Sequence, residues 1–225
     1  MKELLTTVLG LFPNCRLKIA LLNRAGHRID STARVGPIVI VGRTKMIVAS
    51  GAIVGPFNVV RNVGEFRIGE KAEIGQWNWF SSFPTLVENS TLPDAGCFQL
   101  GAHSSVTSRH FFDVSGGISI GKFTTIAGAR SVFMTHGIDV VSNLLLADSI
   151  QVGDYAMVGS SSNLVMGSSV PNYSVVAMGS TIIAGLEQER SLYAGTPAVR
   201  KKGIAHAKYW SRPTGRVLPP GCNAE

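Results

Sequence analysis

Six aliphatic residues, Val152, Val158, Leu164, Val170, Val176 and Ile182, stand six positions apart. An α-helix repeats its buried face every 3.6 residues, so an even beat carried by aliphatic side chains belongs to extended chain. The beat returns at Ile29, Val35, Val41, Ile47, Ile53 and Val59, at Ile68 and Ile74, at Leu100, Val106 and Phe112, and at Ile120, Ile126, Val132 and Ile138. Each hexad reads as one flat side of a coil whose first and fifth residues turn inward. The first is large; the fifth is small, as at Thr124, Ser162, Ser174 and Ser180. Glycine at the second position (Gly36, Gly42, Gly69, Gly75, Gly121, Gly153, Gly159) is expected to supply positive φ at the corners. Three hexads close a coil of about 18 residues, and coils stacked about 4.8 Å apart bury one another. The pattern predicts an all-β solenoid and leaves its hand open.

The rhythm divides the chain into a helical cap over 1–28, a solenoid over 29–203 and a tail over 204–225. Breaks at about 76–99 and 139–149 predict loops thrown outward on the binding side. The first holds Trp77, Trp79, Phe80, Phe83 and Pro84, aromatics expected to pack the insertion against the coil, with stacking on a sugar as the alternative. The cap's apolar stretches are interrupted by Glu3, Pro13, Arg16, Lys18 and Arg24, too often for a membrane span of about 20 residues. Closing the open end of the solenoid is the expected role of this segment; interfacial amphipathic contact with a membrane is the alternative.

Composition narrows this picture. With 225 residues, 45% hydrophobic and 16% charged, the chain fits one core-rich domain with decoration. Cys15, Cys97 and Cys222 are odd in number and lack metal-ligand spacing, which predicts free thiols in a reducing, cytoplasmic compartment. A net charge of +7 raises nucleic acid as a partner, but there is no recognition helix, zinc finger or aromatic-basic stacking pattern. No nucleic-acid role is expected; a basic rim suits small phosphate-bearing ligands or an anionic membrane surface equally well.

Two histidines break the repeat rule. His136, in FMTHGID, is the fifth residue counted from Val132, and His110, in SRHFFDVSGG, is the fifth from Val106. A bulky imidazole in a slot meant for a small side chain marks a place where function overrides packing. Histidine, with an unperturbed pKa of about 6.5, is basic yet largely neutral at physiological pH and suits a general base. Asp113 follows His110 by three residues, and His103 could join the same wall; His27 and His206 read as surface or cap residues.

The segments IGKFTTIAGARSVFMTHGID, IQVGDYAMVGSSSNLVMGSSVPNYSVVAMGS and LYAGTPAVRKK resemble the left-handed β-helix acyltransferases of the hexapeptide-repeat superfamily over about residues 29–203. Among these, sugar O-acetyltransferases of bacterial polysaccharide biosynthesis share the histidine, the VG hexads and the AGTPA turn. The resemblance implies a left-handed parallel β-helix, acetyl-CoA as acyl donor, no metal, and a carbohydrate acceptor. It implies His136 as general base, and His110 and Asp113 on the acceptor side, Asp113 orienting an imidazole or receiving a hydroxyl. Gly159, Ser160, Gly179 and Ser180 would line the pantetheine, and Arg200, Lys201 and Lys202 would meet the nucleotide phosphates. Relatives often carry a Thr-Lys pair after the last hexad where this chain has Ile183-Ala184. A homotrimer with active sites between subunits is also implied, in the cytoplasm or at the inner face of the membrane. Transfer to an amino-sugar nitrogen, a noncatalytic scaffold, and a zinc enzyme uniting His103, His110 and His136 are the competing readings. Cys97 is the thiol that an acyl-enzyme route would use; direct transfer is the expected mechanism.

Overall fold

The computed structural model describes residues 2–217 and 219. Three sheets of seven, nine and seven strands form the sides of a triangular prism, parallel throughout except for the last pair of the second sheet. Successive strands fall on successive sides. Ile118–Ile120 lies on the first sheet, Thr125–Ile126 on the second and Val132–Met134 on the third, and the chain returns to the first at Ile150–Val152. Pairing is in register between coils: Ile120 opposite Val152, Ile126 opposite Val158, Phe133 opposite Leu164. Cys222, expected as a free thiol, lies outside the described residues; Cys15 and Cys97 are unpaired.

The axis departs from the expected beat in two stretches. Ile40, Val48, Val54 and Val60 point inward, whereas Val41, Ile47, Ile53 and Val59 face outward or sit half-buried. Aliphatic neighbours occupy both faces there, and a slip of one residue exchanges the faces of a strand, so period alone could not choose. At the fifth coil Phe133, not Val132, takes the axis, seven residues after Ile126, and Ile138 is exposed. The axis is also more aromatic than expected. Phe66, Phe80, Phe98, Phe112 and Phe133 form a column with adjacent ring centroids 4.7 to 5.4 Å apart.

Phe80 shortens the first insertion. Asn78 and Phe80 point inward just before and within the strand Trp79–Ser81, which pairs with Val59–Arg61 and Phe111–Asp113. The outward loop therefore starts near Ser82, contains the short helix Pro84–Glu88 and rejoins the coil at Cys97. Trp77, Trp79 and Phe83 are about half exposed, so of the aromatics expected to pack, Phe80 alone is in the core. The second insertion is an antiparallel hairpin, His136–Asp139 against Leu144–Ala147, whose tip residues Val140 and Val141 stand 84% and 93% exposed.

Corner glycines serve close approach more than positive φ. A Cβ on Gly75 would lie 2.3 Å from the Thr107 carbonyl oxygen of the next coil. The left-handed conformation falls instead on the fourth residue of the hexad, commonly a non-glycine such as Trp77 (φ 62°) or Tyr155 (φ 54°). The inward residues two places before the next axis residue build polar ladders. On one edge Asn58, Asn78, His110, Ser131, Ser162 and Ser180 are buried one above another. Asn58 Oδ1 accepts from Asn78 N–H (2.8 Å), Asn78 Oδ1 from His110 N–H (2.9 Å), and His110 Nδ1 from Ser131 N–H (3.1 Å).

The cap consists of helices Lys2–Gly10 and Arg16–Arg24. Lys18 is 2% exposed, and its Nζ donates toward the carbonyls of Gly10 (2.9 Å), Phe12 (2.8 Å), Val35 (3.1 Å) and Gly36 (2.7 Å). One ammonium thus ties the end of the first helix to the first coil, where carbonyls have no coil above them to pair with. His27, read as a surface or cap residue, is buried at this junction and its Nδ1 accepts from Met46 N–H. None of the described helices is long and apolar enough to cross a membrane. Residues 191–203 form a closing hairpin, Ser191–Gly195 with Ala198–Gly203, beyond which the chain runs back along the edge between the first and second sheets.

Candidate active site

The slip at Phe133 decides what happens to His136. Thr135 takes the inward slot and is fully buried, and His136 turns out at the corner where the third sheet gives way to the first. The expected misfit is relieved by this slip, so the imidazole is outside the prism rather than forced into a small slot. Asp113, at the same corner one coil earlier, sits with its side chain 6% exposed against 28% for His136. Its Oδ1 lies 2.8 Å from His136 Nδ1. Ser115 holds the carboxylate through its N–H (3.2 Å) and hydroxyl (3.1 Å), and Thr135 Oγ1 lies 2.7 Å from Oδ1.

This arrangement sets the tautomer. A carboxylate accepts, so the proton rests on Nδ1 and the lone pair on Nε2. Nε2 has no hydrogen-bond partner among the described residues. Phe83, from the first insertion, forms a neighbouring wall, its ring centroid 6.5 Å from the imidazole. The hairpin starts at His136 itself and continues away from the corner. An oriented imidazole with an uncommitted nitrogen, beside an exposed aromatic ring, can take a proton from a bound hydroxyl or amine.

His110 does not join this group. It is 2% exposed at the opposite edge of the third side, where the second sheet gives way to the third, and both ring nitrogens are engaged. Nδ1 accepts from Ser131 N–H, which leaves the proton on Nε2, 3.0 Å from Thr107 Oγ1. Burial pulls its pKa down to about 4. It is a neutral rung of the polar ladder with no open face for a sugar hydroxyl. His103 is at the third edge, between first and second sheets, stacked on Phe123 at 4.8 Å. His103, His110 and His136 thus occupy three different edges, which rules out their convergence within one chain, and no cluster of three or more His, Cys, Asp or Glu fit to hold a metal occurs among the described residues.

The residues assigned to a pantetheine lie on the His110 edge. Gly159, Ser160 and Gly179 follow strands of the second sheet, across the third side from His136, a span of roughly 15–20 Å at extended-chain rise. The N–H groups of Gly159 and Gly179 already donate to Val176 and Ser160 carbonyls. Ser180 is 1% exposed and bonded to the Ala177 carbonyl, so it offers nothing to a ligand. Gly179 faces open space. Arg200, Lys201 and Lys202 are exposed on the closing hairpin, Arg200 Nε donating to Ser191 Oγ. Burial pushes the Cys97 thiol up, away from the thiolate a nucleophile needs.

Sequence reasoning missed Thr135 and Ser115, because the one-residue slip that buries Thr135 leaves no periodic trace. Asp113 was reached only as His110's neighbour, although its partner is His136.

No family model and no curated protein matches this chain. Solved structures do. A hexapeptide-repeat-containing acetyltransferase from Vibrio cholerae is 18% identical, with 61% of this chain and 73% of that one covered at a TM-score of 0.51. A maltose O-acetyltransferase from Clostridium difficile 630 is 16% identical, with 62% and 70% covered at 0.52. A Bacillus cereus protein assigned as an acetyltransferase is 12% identical, with 78% and 86% covered at 0.56. At these identities the likeness is one of fold: the chain is a left-handed parallel β-helix, the fold it shares with these proteins.

Proposed function

We propose that the chain is an acyl-CoA-dependent acyltransferase in which His136 is the general base and Asp113 its positioning residue. The observation that carries this reading is the 2.8 Å His136–Asp113 contact, with Nε2 left uncommitted at an open corner. Nε2 takes the proton of an acceptor hydroxyl as its oxygen attacks the thioester carbonyl carbon. The C–S bond of the tetrahedral adduct then breaks, and the imidazolium returns the proton to the departing thiolate. Direct transfer is favoured because Cys97 is held as a thiol.

Acetyl-CoA is the proposed donor and a sugar hydroxyl the proposed acceptor, in keeping with a fold shared with a maltose O-acetyltransferase. A homotrimer supports catalysis in this reading, because the imidazole and the pantetheine corner lie on opposite edges of one prism side. A second copy can bring its Gly159–Gly179 edge to the first copy's His136. The exposed apolar hairpin tip at Val140 and Val141 is suited to such a contact. A cytoplasmic setting, at the membrane face where surface polysaccharide is made, belongs to the same reading.

The test is thiol release from acetyl-CoA with a panel of sugars, amino sugars and nucleotide sugars. His136→Ala is expected to lower turnover by about two or more orders of magnitude while coenzyme affinity stays the same. Equal turnover by the variant refutes the general-base role. No thiol release by the wild type with any acceptor leaves the noncatalytic scaffold, and preference for amino sugars reassigns the acceptor atom to nitrogen.

A further inference from the structure

The edge between the second and third sheets carries a column of left-handed residues, one per coil: Phe57 (φ 61°), Trp77 (62°), Arg109 (62°), Arg130 (65°) and Ser161 (56°), followed by Gly179 (72°). Backbone bonds from Trp77 N–H to Pro56, Arg109 N–H to Gln76, and Arg130 N–H to Arg109 hold neighbours one strand spacing apart, roughly 5 Å. Phe57 and Trp77 stack at 4.7 Å and are each about half exposed; Arg109 and Arg130 are exposed. Below them the column drops to a hydroxyl and a glycine, leaving a step.

Arg109 and Arg130 have no acidic partner among the described residues. The corner segments 55–61, 75–82, 107–112, 127–134 and 159–166 contain no Asp or Glu at all. Two like charges held about one strand spacing apart repel each other, and an anion bound between them offsets that repulsion. The equivalent column on the next edge, Phe123, Tyr155 and Tyr173, is covered by the chain's own Arg212, Tyr209 and Trp210. No segment among the described residues stacks over Trp77 apart from Phe57.

We propose that this edge binds a nucleoside diphosphate group, with its pyrophosphate across Arg109 and Arg130 and its base at Trp77. Two phosphates joined by one oxygen match two guanidiniums one coil apart, and guanidinium forks bind phosphate oxygens in pairs. The aromatic residue at the next rung accounts for a planar base, and the positive rim of an indole ring tolerates the adjoining negative charge. The same chemistry occurs in the nucleotide end of a coenzyme thioester and in a nucleotide-linked sugar. Acyl transfer need not occur for the site to bind, so its test is separate from that of the catalytic reading.

Calorimetry with phosphate, inorganic pyrophosphate, ADP and UDP is the test, at low and moderate salt, on wild type, Arg109→Ala/Arg130→Ala and Trp77→Ala. Pyrophosphate is expected to bind more tightly than phosphate. The double variant should lose at least about tenfold for pyrophosphate and both nucleotides, and Trp77→Ala should weaken nucleotides and leave pyrophosphate unchanged. Preference for ADP with competition by CoA assigns the donor, preference for UDP assigns a nucleotide-linked sugar, and equal affinity supports pyrophosphate recognition alone. Unchanged affinity in a double variant that melts like wild type overturns the proposal. So does a short single-stranded oligonucleotide that binds more tightly than either nucleotide.

Discussion

Replacing His110 with asparagine separates a structural imidazole from a functional one. Two coils and one coil earlier the same slot holds Asn58 and Asn78, and their Oδ1 atoms accept the next coil's N–H as His110 Nδ1 does. Asparagine can therefore keep the Ser131 bond. The substitution frees Thr107 Oγ1 of one partner, but that hydroxyl still has the Ile126 and Gly128 carbonyls within 3.0 and 2.6 Å. The magnitude lies in the pH dependence. Folding lowers the His110 pKa from 6.5 to about 4 by burial. Between those values the unfolded chain binds a proton that the folded chain refuses, so stability present above pH 6.5 is lost as pH falls toward 4. A drop of about 2.5 units corresponds to about 3 kcal/mol for this buried ring. Urea unfolding at pH 7.5 and at pH 4.5 reads it directly. His110→Asn should match wild type at neutral pH to within about 1 kcal/mol and outlast it in acid, while retaining acyl transfer. Parallel losses in acid for both proteins refute the buried neutral ring, and loss of turnover in a stable variant returns His110 to the acceptor site.

The remaining predictions concern the positioning carboxylate and the cap. Asp113→Asn should lower kcat by at least about tenfold with coenzyme affinity unchanged, because the amide can no longer hold the Nδ1–H tautomer by charge; a matching fall in affinity would mark the residue as structural only. Lys18→Met keeps the side chain's length and removes the ammonium from the Phe12, Val35 and Gly36 carbonyls, while the Gly10 carbonyl still accepts from Ile38 N–H, so it should cost about 3 kcal/mol and lower Tm by on the order of 10 °C, read by thermal unfolding. An unchanged Tm would show that the cap does not depend on the ammonium.

The solenoid was legible because its cause is periodic. Val152 through Ile182 point inward at every sixth place in sequence and in space, and a chain that must bury that face has few alternatives. Phe80 stands six residues after Ile74, but with Trp77, Trp79 and Phe83 around it the segment read as an aromatic insertion, so a coil of regular chain was taken for loop. Val41, Ile47, Ile53 and Val59 were placed on the wrong face because apolar residues on both faces leave the register to the corners.

What the amino-acid order determined by itself was local: the hexad, the small polar fifth residue, and a histidine that fits the repeat poorly. Which histidine does what was decided by tertiary structure. His110 and His136 stood at equivalent positions in the count, yet one seven-residue step before Phe133 turned His136 outward onto Asp113, while His110 stayed inside as a ladder rung. Aspartate and imidazole, 23 residues apart in sequence, meet only because a full coil and a corner intervene. A contact across stacked coils depends on the sum of all the corner lengths between its partners, and no local pattern carries that sum.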